Sequence, residues 1–171
     1  MGMMQSIWDE IRKVRRAVGS LNPYEIARHK RIPIIPTYEL PPGILGMFCP
    51  VGAKGVIYIQ PNMPYEQEMF VLYHELFHLL LKHRGPSLTS IEDMYNPNWV
   101  TLSKQEREAH MGATSIILCQ YEISNDMSYI DIARETGCPE KIVEQWIILQ
   151  QEYIASKKRH NPARSKSRVL F

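Results

Sequence analysis

Apolar residues near the start of the chain recur at intervals of three and four, the spacing of a helix with one buried face. They are Ile7, Ile11, Val14 and Val18. This pattern predicts a first helix over residues 6–18. Asn22-Pro23 then opens a second, shorter helix that runs to about His29, because proline is favoured in the first turn of a helix.

The stretch that follows has the features of a small sheet. Prolines at positions 33, 36, 41 and 42 exclude a helix there, and residues 34–38 predict a short edge strand. Residues 44–49 and 55–60 flank a turn region and predict a β-hairpin. We therefore expect a small sheet of three strands.

The rest of the chain predicts mainly helices. Residues 62–83 become apolar on nearly every side in their second half, which is typical of a helix inside the core. Residues 84–100 are rich in Gly, Pro, Ser and Asn and predict a long mobile loop. Further helices are expected over residues 103–121, after Ser128 and after Pro139. The predicted fold class is α+β, mostly helical, with the three-stranded sheet packed beside the central helix.

Chain length and charge place these elements in one domain. The 171 residues are 44% hydrophobic, which suits one domain with a real core. We assign residues 1–156 to that domain and residues 157–171 to a basic tail that we expect to be disordered. Six of the 20 Lys and Arg lie in this tail, which leaves 14 basic residues against 18 acidic ones in the body. Direct nucleic-acid binding by such a domain is not expected.

No segment indicates export or a membrane partner. The first residues lack an apolar signal region, and no apolar run reaches the roughly 20 residues that span a bilayer. The three cysteines, at positions 49, 119 and 138, have no metal-type spacing. They are expected to be thiols in a reducing compartment, so the predicted location is the cytoplasm.

Candidate chemistry is concentrated in His74, Glu75 and His78 on the predicted core helix. Four helical residues turn the chain by about 400°, so the two imidazoles lie on one face, one turn apart, and can reach one ion. Glu75 lies on the neighbouring face, where it can act on a water molecule as a general base. Burying these groups without partners would cost several kcal/mol, and a metal ion removes that cost. Zinc is the predicted ion, with manganese as the alternative.

The third protein ligand expected of a catalytic zinc site should come from another element. On the helix after the predicted loop, one face is formed by Glu106, Ala109, His110, Ala113, Ile116 and Ile117. Glu106 lies at the N-terminal end of this face and can point to the metal. Its alternative role is an ordinary first-turn carboxylate that the helix dipole favours.

Three neighbouring residues compare with Glu106 as possible ligands. Glu108 is about 200° further around the helix and should face elsewhere. His110 can be a rival ligand or a partner of a ligand. His83 is a poor ligand candidate because a continuous helix would turn it by about 140° from His78.

These motifs resemble those of the ImmA/IrrE family of metallopeptidases over roughly residues 20–155. The matching segments are Asn22-Pro23-Tyr24-Glu25-Ile26-Ala27, Val56-Ile57-Tyr58-Ile59, Glu68 through His78, and Glu106-Arg107-Glu108-Ala109-His110. The last resembles the family's E-x-x-A-N signature, whose glutamate is the third metal ligand. The resemblance therefore implies that role for Glu106, in a site like that of the gluzincins.

The same resemblance implies a substrate class. Members of the family occur on phages and other mobile elements and in stress-responsive bacteria. Those that act as antirepressors cleave a helix-turn-helix repressor and so release the genes that it silences. The chain is therefore expected to be a metal-dependent endopeptidase whose partner is such a repressor.

The chain departs from the family pattern at several positions near the site. Phe77 and His110 stand where relatives usually have Gly and Asn or Asp, Gly112 stands where they usually have Phe, and Cys119-Gln120 replaces a common Met-Pro. The first and third changes are opposite in sense. We therefore expect the Phe77 ring to fill the space beside Gly112, since protein interiors are close-packed.

Two other functions remain as alternatives. Residues 129–143 have the Ala-x-x-x-Gly pattern of a helix-turn-helix, and a basic tail follows, which would suit a DNA-binding regulator. The competing interpretation is two packed helices whose second member buries Ile142, Val143 and Trp146. A third reading is an inactive metal-bearing protein that binds a repressor without cleaving it.

Overall fold

The computed structural model describes residues 2–52, 54–124 and 126–160, and within them it contains helices and strands in an α+β arrangement. The helices are α1 (Met3–Val18), α2 (Pro23–Lys30), α3 (Tyr65–Leu80), α4 (Ile91–Tyr95), α5 (Lys104–Leu118), α6 (Tyr129–Thr136) and α7 (Glu140–His160). The strands are β1 (Ile34–Pro36), β2 (Ile44–Val51), β3 (Lys54–Ile59) and β4 (Ser87–Ser90). The predicted fold class is confirmed.

The sheet has four strands in the order β1-β3-β2-β4. β1 runs parallel to β3, while β2 is antiparallel to both β3 and β4. The prediction of three strands is therefore wrong by one. Residues 84–100 are not a continuous loop either, because they contain β4 and α4. β4 was missed because it is short and polar, and what makes it a strand is pairing with the second edge of β2, where Met47 lies opposite Leu88.

Helix α3 lies at the centre of the fold, between the sheet and α5. Its side chains are buried almost continuously from Met69 to His78. Gly46 on β2 permits the helix to approach the sheet closely, because a Cβ at that position would lie 2.5 Å from a Val71 methyl carbon. On the opposite side, the expected contact between Phe77 and Gly112 is confirmed. A Cβ on Gly112 would lie 2.3 Å from two atoms of the Phe77 ring.

The terminal helices α1 and α7 pack together and close the core on the side of α5. The Trp8 indole N–H donates to Gln150 across this contact at 3.0 Å. Helix α7 continues to His160, so the first four residues of the predicted tail 157–171 are helical, and residues 161–171 lie outside the described part of the chain. None of the described helices combines the length and apolar character that crossing a membrane requires.

Candidate metal centre

The structure brings His74, His78 and Glu106 together at one point between α3 and α5. His74 Nε2 lies 3.1 Å from His78 Nε2 and 3.1 Å from Glu106 Oε2, and His78 Nε2 lies 3.5 Å from Glu106 Oε1. The two imidazoles are one helical turn apart on α3, as their spacing predicts. Both are almost completely buried, while the Glu106 side chain is 25% exposed.

These distances fit a zinc-type ion. Zinc binds imidazole nitrogen at about 2.0–2.1 Å, so neighbouring donors in a tetrahedral site lie about 3.3 Å apart. The three donor separations fall close to that value. Two imidazoles and one carboxylate also supply nitrogen and oxygen donors of the type found in catalytic zinc sites, which keep one position open for water.

Glu106 is held at this point by the start of α5. Ser103 caps the helix, and its hydroxyl accepts a hydrogen bond from the Glu106 backbone N–H at 3.1 Å. Burial by itself raises the pKa of Glu106, but hydrogen bonds from His74 and His78 outweigh it and bring the pKa well below its ordinary value. The carboxylate is therefore charged at neutral pH and suited to bind a cation.

Glu75 projects from the neighbouring face of α3 towards β4 and is completely buried. The Ser87 hydroxyl donates to Glu75 Oε2 at 2.6 Å, and the Thr89 hydroxyl donates to Oε1 at 2.5 Å. Both donors belong to the strand that the sequence did not predict. Gly46 makes room for the same carboxylate, since a Cβ there would lie 3.1 Å from Glu75 Oε1.

His110 lies beside the three converging side chains. Its ring centroid is 4.5 Å from that of His74, and one of its nitrogens lies within 4.8 Å of the donor atoms of both His74 and Glu106. Neither His110 nitrogen has a hydrogen-bond partner among the described residues, although the side chain is buried. Burial, together with the nearby His74, lowers the pKa of His110 well below its ordinary value.

His74 and Glu106 thus belong to two overlapping sets of possible ligands, completed by His78 or by His110. In the set with His78 the donor atoms are separated by 3.1–3.5 Å, and in the set with His110 they lie within 4.8 Å of one another.

His83 and Glu108 also take part in this region, in a way that the sequence did not predict. His83 Nδ1 lies 3.1 Å from His78 Nδ1, and His83 Nε2 lies 3.1 Å from Glu108 Oε2. The prediction that neither residue points at the ligand atoms agrees with this geometry. The rotation argument for His83 fails, however, because α3 ends at Leu80 and the chain turns back before His83.

Comparison with known families matches residues 41–146 to the Peptidase_M78 model, described as the IrrE N-terminal-like domain. This match covers more than half of the chain and includes α3, β4 and α5, which carry the three converging side chains, Glu75 and the two hydroxyls that bind it. Neither the curated proteins nor the solved structures gave a significant match.

Proposed function

Because this chain belongs to the Peptidase_M78 family, the IrrE N-terminal-like peptidases, we propose that it is a metal-dependent endopeptidase that makes a limited, site-specific cut in a helix-turn-helix repressor. The family supports a metallopeptidase-type activity. Zinc, the reaction mechanism, a cytoplasmic location and the repressor as substrate are parts of the proposal.

One observation carries the catalytic part of this proposal. The donor atoms of His74, His78 and Glu106 lie 3.1–3.5 Å apart, as ligands of one ion would, and Glu75 follows directly after the first of them. The assignment is therefore His74, His78 and Glu106 as metal ligands and Glu75 as the catalytic base. His110 is the neighbour that contacts the bound substrate or water.

The mechanism follows from these roles. A divalent ion at the three donors would lower the pKa of a water molecule towards about 7 and polarise the scissile carbonyl. Glu75 accepts the proton of the attacking water and passes it to the leaving amine. Ser87 and Thr89 fix the carboxylate during this transfer. Each Glu75 oxygen has a second lone pair, so the two hydroxyls leave room for the water.

Strand β4 is the proposed place for the substrate backbone. It is an outer strand of the sheet, and its side chains Ser87 and Thr89 contact Glu75 directly. An extended peptide that pairs with an outer strand gains main-chain hydrogen bonds and is held next to the site. Leu88, which is 46% exposed, would then contact the substrate side chains.

A cleavage assay tests the proposal. The purified protein, loaded with zinc, is incubated with the repressor encoded beside it, and the products are separated and sequenced. We expect one pair of discrete fragments, which disappears when a chelator is added or when Glu75→Gln replaces the parent protein. Intact repressor after incubation with the zinc-loaded parent would refute the enzymatic function.

The second candidate is a metal-bearing protein that binds a repressor without cutting it. The observation in its favour is that both Glu75 oxygens already accept hydroxyl hydrogen bonds in a completely buried position. In the same assay this candidate predicts a stable complex and no fragments. A DNA-binding regulator would instead shift operator DNA by itself. The second helix of the helix-turn-helix pattern is α7, and it buries Ile142, Val143 and Trp146 in the core.

A further inference from the structure

Three side chains form a continuous chain of contacts that leads away from the metal centre. The imidazole of His78 contacts His83 through the two Nδ1 atoms at 3.1 Å, and His83 Nε2 contacts Glu108 Oε2 at 3.1 Å. The His83 and Glu108 side chains are 5% and 16% exposed. The contacts are therefore made inside the protein, where solvent competes little with them.

The end of helix α3 explains why His83 lies against His78. Lys82 adopts a left-handed conformation with φ 58°, and its N–H donates to the Leu79 carbonyl at 3.0 Å. The His83 N–H donates to the His78 carbonyl at 2.8 Å. These two bonds define a Schellman motif, which brings the second residue after the cap onto the third residue from the helix end. That contact is usually apolar, and here it joins two imidazoles.

With an ion on His78 Nε2, the contacts admit one consistent arrangement of protons. A histidine that offers Nε2 to a metal ion must carry its proton on Nδ1. His78 Nδ1–H can then donate to His83 Nδ1, which leaves the His83 proton on Nε2, where it donates to the charged Glu108 carboxylate. Each donor in the chain meets an acceptor. The same arrangement leaves the Nε2 lone pair of His78 available to an ion at the point where His74 and Glu106 converge.

We propose that His83 and Glu108 are positioning residues that hold His78 in the tautomer and ring orientation required for metal binding. This inference rests on the proposed function, because it concerns the ion that the proposed reaction needs. Helix α5 supplies Glu106 to the ion and Glu108 to His83, so one element fixes both a ligand and the support of another ligand.

The test measures zinc and cobalt dissociation constants of the purified metal-free protein by competition with a chromophoric chelator. His83→Leu removes both ring nitrogens and keeps an apolar side chain of similar size, whereas His83→Asn keeps an acceptor at the position of Nδ1. Glu108→Leu and Glu108→Gln form the corresponding pair at the other end. Lys104→Ala is the control, because Lys104 is 80% exposed and lies 3.6 Å from the other Glu108 oxygen.

Loss of a side chain that hydrogen-bonds a metal-ligating histidine weakens metal binding by about 10–100-fold. We expect that loss for His83→Leu and for Glu108→Leu, partial recovery for His83→Asn and Glu108→Gln, and a change of no more than about fivefold for Lys104→Ala. The double variant with both leucines should bind no more weakly than His83→Leu alone, since both changes break the same chain. The cobalt absorption spectrum should also change in the leucine variants.

Two further measurements distinguish loss of His78 positioning from general damage to the fold. Thermal unfolding of the metal-free variants shows whether they are folded. Two-bond proton–nitrogen NMR spectra of the imidazoles should show His78 protonated on Nδ1 in the parent and a mixture of tautomers in His83→Leu. If the folded His83→Leu variant binds zinc within about fivefold of the parent, the inference is wrong while the proposed function stands. If the parent binds neither metal, the proposed function fails and the inference falls with it.

Discussion

The contact between Phe77 and Gly112 predicts that Gly112→Ala destabilises the protein, although alanine is the better helix former. Replacing Gly112 with alanine adds one methyl group to the interior of α5. That methyl would lie 2.3 Å from Cγ and Cδ1 of the Phe77 ring, against the 3.5–4.0 Å or so of a normal carbon contact. Phe77 is completely buried, so its ring has no solvent to move into.

Two effects oppose each other in Gly112→Ala. Alanine is favoured over glycine inside a helix by about 1 kcal/mol, which would stabilise the protein. Overpacking of a close-packed core costs about 1–3 kcal/mol. We expect a cost near the upper end of that range, because the methyl carbon would lie more than about 1 Å closer to a rigid ring than a normal contact allows. The expected net change is a loss of about 2 kcal/mol in the free energy of unfolding. For a chain of this size that corresponds to about 4–8 °C in melting temperature.

Urea unfolding at equilibrium, followed by circular dichroism, measures the effect. Phe77→Leu should destabilise the parent by itself, because it leaves a cavity. In the Gly112→Ala background it should cost less, since the smaller side chain makes room for the methyl, with a coupling of about 0.5–3 kcal/mol. A Gly112→Ala protein as stable as the parent, or more stable, would mean that helix propensity decides and that the ring does not fill this space.

Four further changes test the site and its supports. Glu75→Gln should retain zinc, measured by metal analysis, and reduce cleavage by at least about 100-fold, because Glu75 handles a proton and not the ion; zinc loss as large as in His74→Ala would contradict that role. Glu106→Ala should weaken zinc binding by more than about 100-fold in a chelator competition, which exceeds the effect of losing a residue that only hydrogen-bonds a ligand. Retention of the parent affinity would remove Glu106 from the ligand set. Thr89→Val leaves one buried Glu75 oxygen without its donor and should cost about 1–3 kcal/mol in urea unfolding, whereas Thr89→Ser should cost much less; equal losses would assign the effect to packing. Lys82→Gly should raise the free energy of unfolding by about 0.5–1 kcal/mol, and with it the melting temperature, because glycine adopts the left-handed conformation without strain. A lower melting temperature would refute that reasoning.

Local sequence pattern determined the long helices and the candidate metal ligands, although it did not predict α4. The spacing of His74 and His78 places them on one face of any helix, and the 3.6-residue period of the later helix distinguishes Glu106 from Glu108. Asn22 caps α2 and Ser128 caps α6, and each side chain accepts a hydrogen bond from a backbone N–H, as residues of their type do. Such features depend on residues a few positions apart, so they can be recognised without knowledge of the fold.

Strand β4 shows where local pattern stops being sufficient. Its residues Ser87–Ser90 have neither apolar alternation nor β-branched enrichment, and they follow a segment with Gly and Pro. They form a strand because β2 offers an unpaired edge and because Ser87 and Thr89 meet the Glu75 carboxylate. Edge pairing and buried hydrogen bonds are non-local interactions, which a four-residue sequence cannot specify alone.

The sequence alone therefore determined which side chains share one face of a helix and are candidate metal ligands, whereas the tertiary structure decided what holds those side chains in place. A ligand motif is fixed by helical period, which is a property of the backbone. The partners of its buried polar groups come from elements distant in sequence: Ser87 and Thr89 for Glu75, and Glu108 by way of His83 for His78. Most buried polar groups in proteins are hydrogen-bonded, but which partner satisfies them depends on how the chain packs.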